Sequence, residues 1–213
     1  MSRYRGPRLR LVRRLGELPG LISPKMSSQL GGTNKGKNKN EGEKKSNQGE
    51  RNAQQKESQY SVRLKEKQKV RFHYGVTESQ LLKYVKKARN AKGSTGELVL
   101  QILEMRLDSV VFRLGMAPTM AAARQLISHG HIQLNGQKVN IPSYQCIQND
   151  KISVPQLSRK FVTAELRSGN TLPEHLNFQK DNLEGTVNGI TKRESVGLQV
   201  NELLVVEFYS RKV

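Results

Sequence analysis

Ser128, His129 and His131 lie close together in the stretch LISHGHIQLNGQKVNI, residues 126–141. Histidine can ligate a metal, relay a proton or donate a hydrogen bond, and a serine beside it can act as a nucleophile. A zinc site would need a third and fourth ligand, and the remaining ligand types, His73, Cys146 and His175, are scattered along the chain. A Ser128–His129 nucleophile pair would need an acidic residue to orient the imidazole and a glycine-rich oxyanion turn, and neither is nearby. What remains is a set of hydrogen-bonding groups, Arg124, Gln125, Ser128, His129 and His131, suited to backbone phosphates and 2′-hydroxyls. The expected chemistry is the holding of RNA, with no catalytic residue, metal or cofactor.

The elements that would position these residues can be read from periodicity. Thr119 is placed to cap a helix MAAARQLISHG in which Met120, Ala123, Leu126 and Ile127 share one side and Arg124, Gln125 and Ser128 the other. After His131 the sequence IQLNGQKVNI predicts a β-hairpin, with Asn135-Gly136 as a two-residue type I′ turn. Upstream, GELVLQILEMRLDSVVFRLG carries two apolar stripes, Leu98, Ile102 and Met105, then Leu107, Val110, Val111 and Leu114, which read as two core helices. Gly115 stops the second and Pro118 forbids continuation. Capping boxes are expected at Thr77 with Gln80 and at Ser94 with Glu97.

Charge supports the RNA reading. The 213 residues hold 37 Lys and Arg against 18 Asp and Glu, a formal net charge of +19. The first 92 residues supply +17 of that +19. Residues 1–25 form a basic extension with Arg3, Arg5, Arg8, Arg10, Arg13 and Arg14 set between Gly, Pro and short apolar runs, a pattern poor in helix continuity. An organelle-targeting presequence is the alternative reading of such an Arg-rich start, but its two Pro, three Gly and little Ser differ from an amphipathic transit helix. Residues 26–59 are nearly devoid of apolar side chains, and their composition predicts a disordered or extended basic insertion. Within 60–92, SVRLKEKQKVRFHYG predicts a short basic helix bearing Arg63, Lys65, Lys67, Lys69 and Arg71. TESQLLKYVKKARNAKG predicts a second helix that buries Leu81, Val85 and Ala88 and leaves Lys83, Lys86, Lys87, Arg89 and Lys92 outside. A face of one sign repels itself unless an anion lies against it. The lone Cys146 points to a reducing compartment, and no apolar run is long enough for a membrane span, so a soluble chain with no membrane partner and no small-molecule substrate is expected.

RLDSVVFRLGMAPTMAAARQLISHGHIQLNGQKVNIPSY, Arg106 to Tyr144, resembles without a gap the helix-helix-hairpin RNA-binding module named after the S-four protein of the small ribosomal subunit. The flanks LKEKQKVRFHYGVTESQLLKYVKKA, KGSTGELVLQILEMRLD, LEGTV and NELLVVEFYSR are similar to that ribosomal protein family itself, so the resemblance covers 1–25 and 60–213. MSRYRGPRLRLVRRLG, GMAPT and VGLQVNELLVVEFYSR are similar to the plastid branch, whose members are commonly made inside the organelle without a transit peptide. The resemblance implies an α+β fold: a helical N-terminal lobe over 60–105 to which 200–213 returns, and the module with a small mixed sheet over 106–199. It also implies binding to a junction of small-subunit ribosomal RNA, nucleation of subunit assembly, and a surface shared with the fifth small-subunit protein that affects decoding accuracy. The implied place is the ribosome of the chloroplast stroma. Met120 stands where many relatives have Arg, 26–59 lacks the cysteines that hold zinc in some relatives, and RKFVTAELRSGNTLPEHLNFQ matches loosely, leaving strand order open there. NELLVVEFYS reads as strand by its β-branched and aromatic residues and as helix by the cap at Asn201; the resemblance favours the helix. Two other classes carry such a module, RNA-modifying enzymes and free-standing stress proteins that bind RNA.

Overall fold

The structure, a computed structural model, describes residues 4–23, 58–162, 172–179 and 181–210. Arg3, nearly all of the 26–59 insertion and most of the loosely matching RKFVTAELRSGN stretch lie outside the described residues.

The N-terminal extension is helical where its Gly and Pro suggested a broken chain. Helix α1, Arg8–Leu15, is bracketed by Pro7 at its N-cap and by Gly16, whose φ of +90° ends it. Pro is tolerated there because the first helical N–H groups need no intrahelical partner. Helix α2, Gln59–His73, forms where the basic helix was expected, and the Ser58 hydroxyl caps it by accepting from the Ser61 N–H at 3.2 Å. Gly75, at φ +59°, turns the chain into α3, Glu78–Arg89. Both halves of the Thr77–Gln80 capping box are formed. Helix α4, Thr95–Glu104, starts without its expected box, since the Ser94 side chain makes no cap bond.

Met105 and Arg106 break the next apolar run into α4 and α5, Leu107–Arg113. Arg106 is extended there and bridges to Gln145. The Thr119 hydroxyl caps α6, Met120–Ser128, by accepting from the Ala122 N–H at 3.2 Å. Strands β1 (Gln133–Leu134) and β2 (Gln137–Lys138) make the expected hairpin, with Asn135 at φ +51° and Gly136 at φ +80°. With β3 (Lys151–Ser153), β4 (Leu176–Gln179) and β5 (Glu184–Val187) they form one sheet in the order β2-β1-β3-β5-β4. Every pairing is antiparallel, so the sheet expected to be mixed has one sense throughout. Gly185 admits the Leu114 side chain against the sheet, where any Cβ would overlap it.

Asn201 caps α7, Glu202–Tyr209, by accepting from the Leu203 N–H at 3.1 Å, so the ambiguous C-terminal stretch is helix. It packs along α2: Glu207 takes two hydrogen bonds from Arg63, and the Tyr209 hydroxyl donates to Glu78 at 2.8 Å. One apolar core runs from Leu15 and Leu18 through Leu81, Leu103, Val110 and Ile127 to Ile152 and Tyr209. Helix α6 packs on α5, and the hairpin continues into β3.

Candidate nucleic-acid interface

Two surfaces carry cations that face solvent without an ionic partner. On the extension these are Arg5, Arg8, Arg10, Arg13 and Arg14, and on α3 and the turn after it Lys83, Lys86, Lys87 and Lys92; none joins an ion pair among the described residues. All but Arg8, which is half-buried, are exposed. The α3 set exists because Leu81, Val85 and Ala88 fill the core side of the helix and displace the charges outward. Arg89 is exposed on the same helix, and Lys65 is half-buried on α2.

The cations of α2 are spent largely on folding, which periodicity could not show. Lys67 is 5% exposed, paired to Glu78 at 2.9 Å and seated over the Phe208 ring at 4.6 Å. It is a strut between α2, α3 and α7 and presents no charge to a partner. Arg63 is taken by Glu207 at 2.7 Å and Lys69 by Glu66 at 2.5 Å. Burial alone would raise Glu78, but hydrogen bonds from Lys67 and Tyr209 outweigh it and hold the carboxyl below the usual range. Arg71 bonds Gln68, lies over Phe72 and borders a cleft with Arg5 and Arg8.

Arg124 departs most from expectation. Helical spacing sets it with Gln125 and Ser128, yet its guanidinium turns inward, donating to Asp108 at 2.7 Å and to the carbonyls of Tyr74 and Gly75. It fastens α6 to the end of α2. Asp108 is fully buried and also takes two bonds from Arg106, itself 1% exposed. A parallel knot lies beside it. Glu104 accepts from Arg113 at 2.5 and 3.0 Å and from the Tyr74 hydroxyl at 2.6 Å. Burial would raise Glu104, but Arg113 and Tyr74 hold it below the usual carboxylate range, while burial and the Glu104 charge push the Tyr74 hydroxyl well up.

The remaining lip residues do come together. Gln125, Ser128 and His129 are exposed, and Gln125, His129 and His131 border one shallow groove with Phe161. The His131 ring stacks on Phe161, centroids 4.8 Å apart at 28°, and its Nδ1 lies 3.0 Å from the Ser158 hydroxyl. The His129 and His131 rings are 6.1 Å apart, and no cluster of three ligand-type side chains occurs among the described residues. Where Arg124 was expected, the lip has Lys138: a Cβ on Gly130 would overlap its side chain, so the lysine lies across the His129-Gly130-His131 turn. Lys138 was legible, being in the same short stretch and opposite Gln133 in the hairpin. Phe161 gave no such signal, since its 3₁₀ segment, Gln156–Phe161, reaches the lip only through the tertiary fold.

A cation-faced helical body that carries a helix-helix-hairpin platform with a polar lip is the build of a protein that docks on structured RNA. Comparison with known proteins places it further. Residues 3–104 match the ribosomal protein S4/S9 N-terminal domain, and residues 105–152 match the S4 domain. The small ribosomal subunit protein uS4c of Chlorella vulgaris is 57% identical over 215 residues, and that of Oltmannsiellopsis viridis 56% over 219, each alignment covering at least 99% of both chains. The cyanobacterial uS4 of Rippkaea orientalis is 54% identical over 216 residues, covering all of both chains. The chain belongs to the uS4 family of small-subunit ribosomal proteins.

Proposed function

We propose that this chain is a structural constituent of the small subunit of the plastid ribosome and that it binds small-subunit ribosomal RNA directly. The observation that carries the reading is the division of its cations: Arg63, Lys67 and Lys69 of α2 are locked in ion pairs, whereas Arg5, Arg10, Arg13, Arg14, Lys83, Lys86, Lys87 and Lys92 are exposed and join no ion pair among the described residues. Arg5, Arg8, Arg10, Arg13, Arg14, Lys83, Lys86, Lys87 and Lys92 capture phosphates and release counterions. Gln125, Ser128, His129, His131 and Lys138 fix the register on the folded RNA. Chloroplast relatives from green algae support the location. In this role the protein performs no catalytic step; it binds an RNA junction early, nucleates folding of the subunit body, and meets the fifth small-subunit protein at a surface that bears on decoding accuracy.

Filter binding of the purified chain to small-subunit ribosomal RNA over a salt series tests the reading. Log affinity should fall linearly with log salt, by roughly 0.7 to 0.9 for each phosphate contact. The triple variant Lys83→Ala, Lys86→Ala, Lys87→Ala should reduce that slope by roughly two to three at an unchanged melting temperature. A parent slope near zero sinks the proposal. Cofractionation with intact small subunits separates this role from that of a free-standing RNA-binding stress protein.

A further inference from the structure

Between the extension, the end of α2 and the start of α6 lies a cleft of about 330 Å³. That volume falls within the range of small-ligand sites. Its composition is unusual for a groove between helices. Arg5, Arg8, Arg71 and Arg124 all line it, and no carboxylate does among the described residues. Asp108, the nearest counter-charge to Arg124, is fully buried behind it. Arg124 is held by three partners and its charge is met by Asp108, so it forms a fixed edge of the cleft, and Arg5, Arg8 and Arg71 supply the charge for an anion. Guanidinium groups arranged in this way suit a phosphodiester, whose oxygens accept two parallel N–H bonds.

The mouth also has an aromatic surface. The Tyr4 ring is 42% exposed and is held edge-to-face against Phe72, centroids 5.3 Å apart at 72°. Phe72 is itself covered by the Arg71 guanidinium at 5.3 Å. This leaves the Tyr4 ring as a supported, open π-surface beside the arginines. Two glycines in its lining let the elements around it approach closely: a Cβ on Gly20 would lie 2.7 Å from the His73 carbonyl oxygen, and one on Gly75 would lie 2.9 Å from the Arg124 Nη1.

We propose that this cleft receives one extruded nucleotide of the small-subunit ribosomal RNA, its base stacked on Tyr4 and its phosphate held by Arg5, Arg8 and Arg71. The idea rests on the RNA-binding function proposed above and adds a single-nucleotide site to it. A phosphate alone would leave the aromatic surface unused, and an acidic peptide would not match it; a nucleotide uses both halves, because every base has a π-face and every linkage a phosphate.

The test uses the full chain and small-subunit ribosomal RNA. With a photoreactive benzoylphenylalanine at position 4, irradiation of the complex should give reverse-transcription stops at one nucleotide. Tyr4→Leu, which keeps the apolar contact with Phe72 and removes the π-face, should weaken binding roughly five-fold or more, and Tyr4→Phe should bind about as well as the parent. Arg8→Ala should weaken binding and lower the salt slope by about one. Scattered stops, crosslinks confined to the chain itself, or parent-like binding by Tyr4→Leu would overturn the nucleotide site while leaving the RNA-binding function standing. Failure of the parent to bind the RNA would remove both. The crosslink map is read on protein that binds, so a variant that unfolds does not decide the outcome.

Discussion

At the scale of single residues, Asp108 explains why an arginine on the polar side of α6 is not a contact residue. A fully buried carboxylate needs its charge compensated, and Arg106 and Arg124 do this with hydrogen bonds of 2.7–2.9 Å. Arg124→Ala removes one of the two cations and strips the Tyr74 and Gly75 carbonyls of their donor. It should cost about 3 kcal/mol, which lowers the melting midpoint by roughly 6–12 °C in differential scanning calorimetry. Replacing His129 and His131 by Ala should leave the fold standing, because His129 is exposed and His131 meets Phe161 and Ser158 at the lip, outside the apolar core, and should weaken RNA binding by about 1–3 kcal/mol. If Arg124→Ala melts like the parent and loses only RNA affinity, the inward-facing assignment is wrong. The sequence could show that Arg124 shares a helical face with Gln125 and Ser128, since that follows from period 3.6. It could not show that Asp108, on the preceding helix, competes for the guanidinium.

At the scale of elements, the start of a helix depends on one side chain, and the two expected capping boxes separate in the structure. Thr77 accepts from the Gln80 N–H and Gln80 reaches back to the Thr77 N–H, whereas the Ser94 side chain makes no cap bond. Thr77→Ala should therefore cost about 1 kcal/mol and Ser94→Ala a few tenths at most, measured by urea denaturation at equal slope. Equal losses at both positions would show that the Ser94 box forms in solution. Signals that act within a few residues were readable: the Asn135-Gly136 turn, the Gly115 stop and the Thr119 cap all stand as local chemistry predicts, whereas at Asn201 the local signals were split between strand and helix. Elements set by distant partners were not. Helix α1 holds no Gly or Pro of its own, which only flank it at Pro7 and Gly16, and Leu15 and Val12 carry it onto the core. The pairing of β3 with β5 also joins strands far apart in sequence.

On the scale of the whole molecule, most acidic groups with a described partner join elements together, while cations are left over at the surface. Glu104 ties α4 to α5, Glu78 ties α3 to α2 and α7, and Glu202 ties α7 to the Arg193 turn. Each of these carboxyls sits below its ordinary value: burial pulls upward in every case, and the hydrogen bonds and charges of Arg113, Lys67 with Tyr209, and Arg193 overcome it. A carboxyl with a lowered folded pKa binds fewer protons in the folded than in the unfolded chain. The stability it adds is complete above the usual carboxylate range and disappears as pH falls through the folded value. His175 adds a shallower step. Burial holds it below the ordinary histidine value, with Thr191 at 3.1 Å from its Nε2, so its neutral form is favoured in the fold. That stability is complete above about pH 6.5 and erodes as pH falls from there. The melting midpoint at fixed ionic strength should thus be level from about pH 8 to 7, sag gently below about 6.5, and drop steeply below about 4.5. His175→Gln should flatten the gentle sag and leave the steep fall, since the three carboxyl struts are untouched. A midpoint that holds level to pH 3 would mean that these carboxylates do not bind the elements together, and the outward cations would then need another explanation than the one given by their paired neighbours.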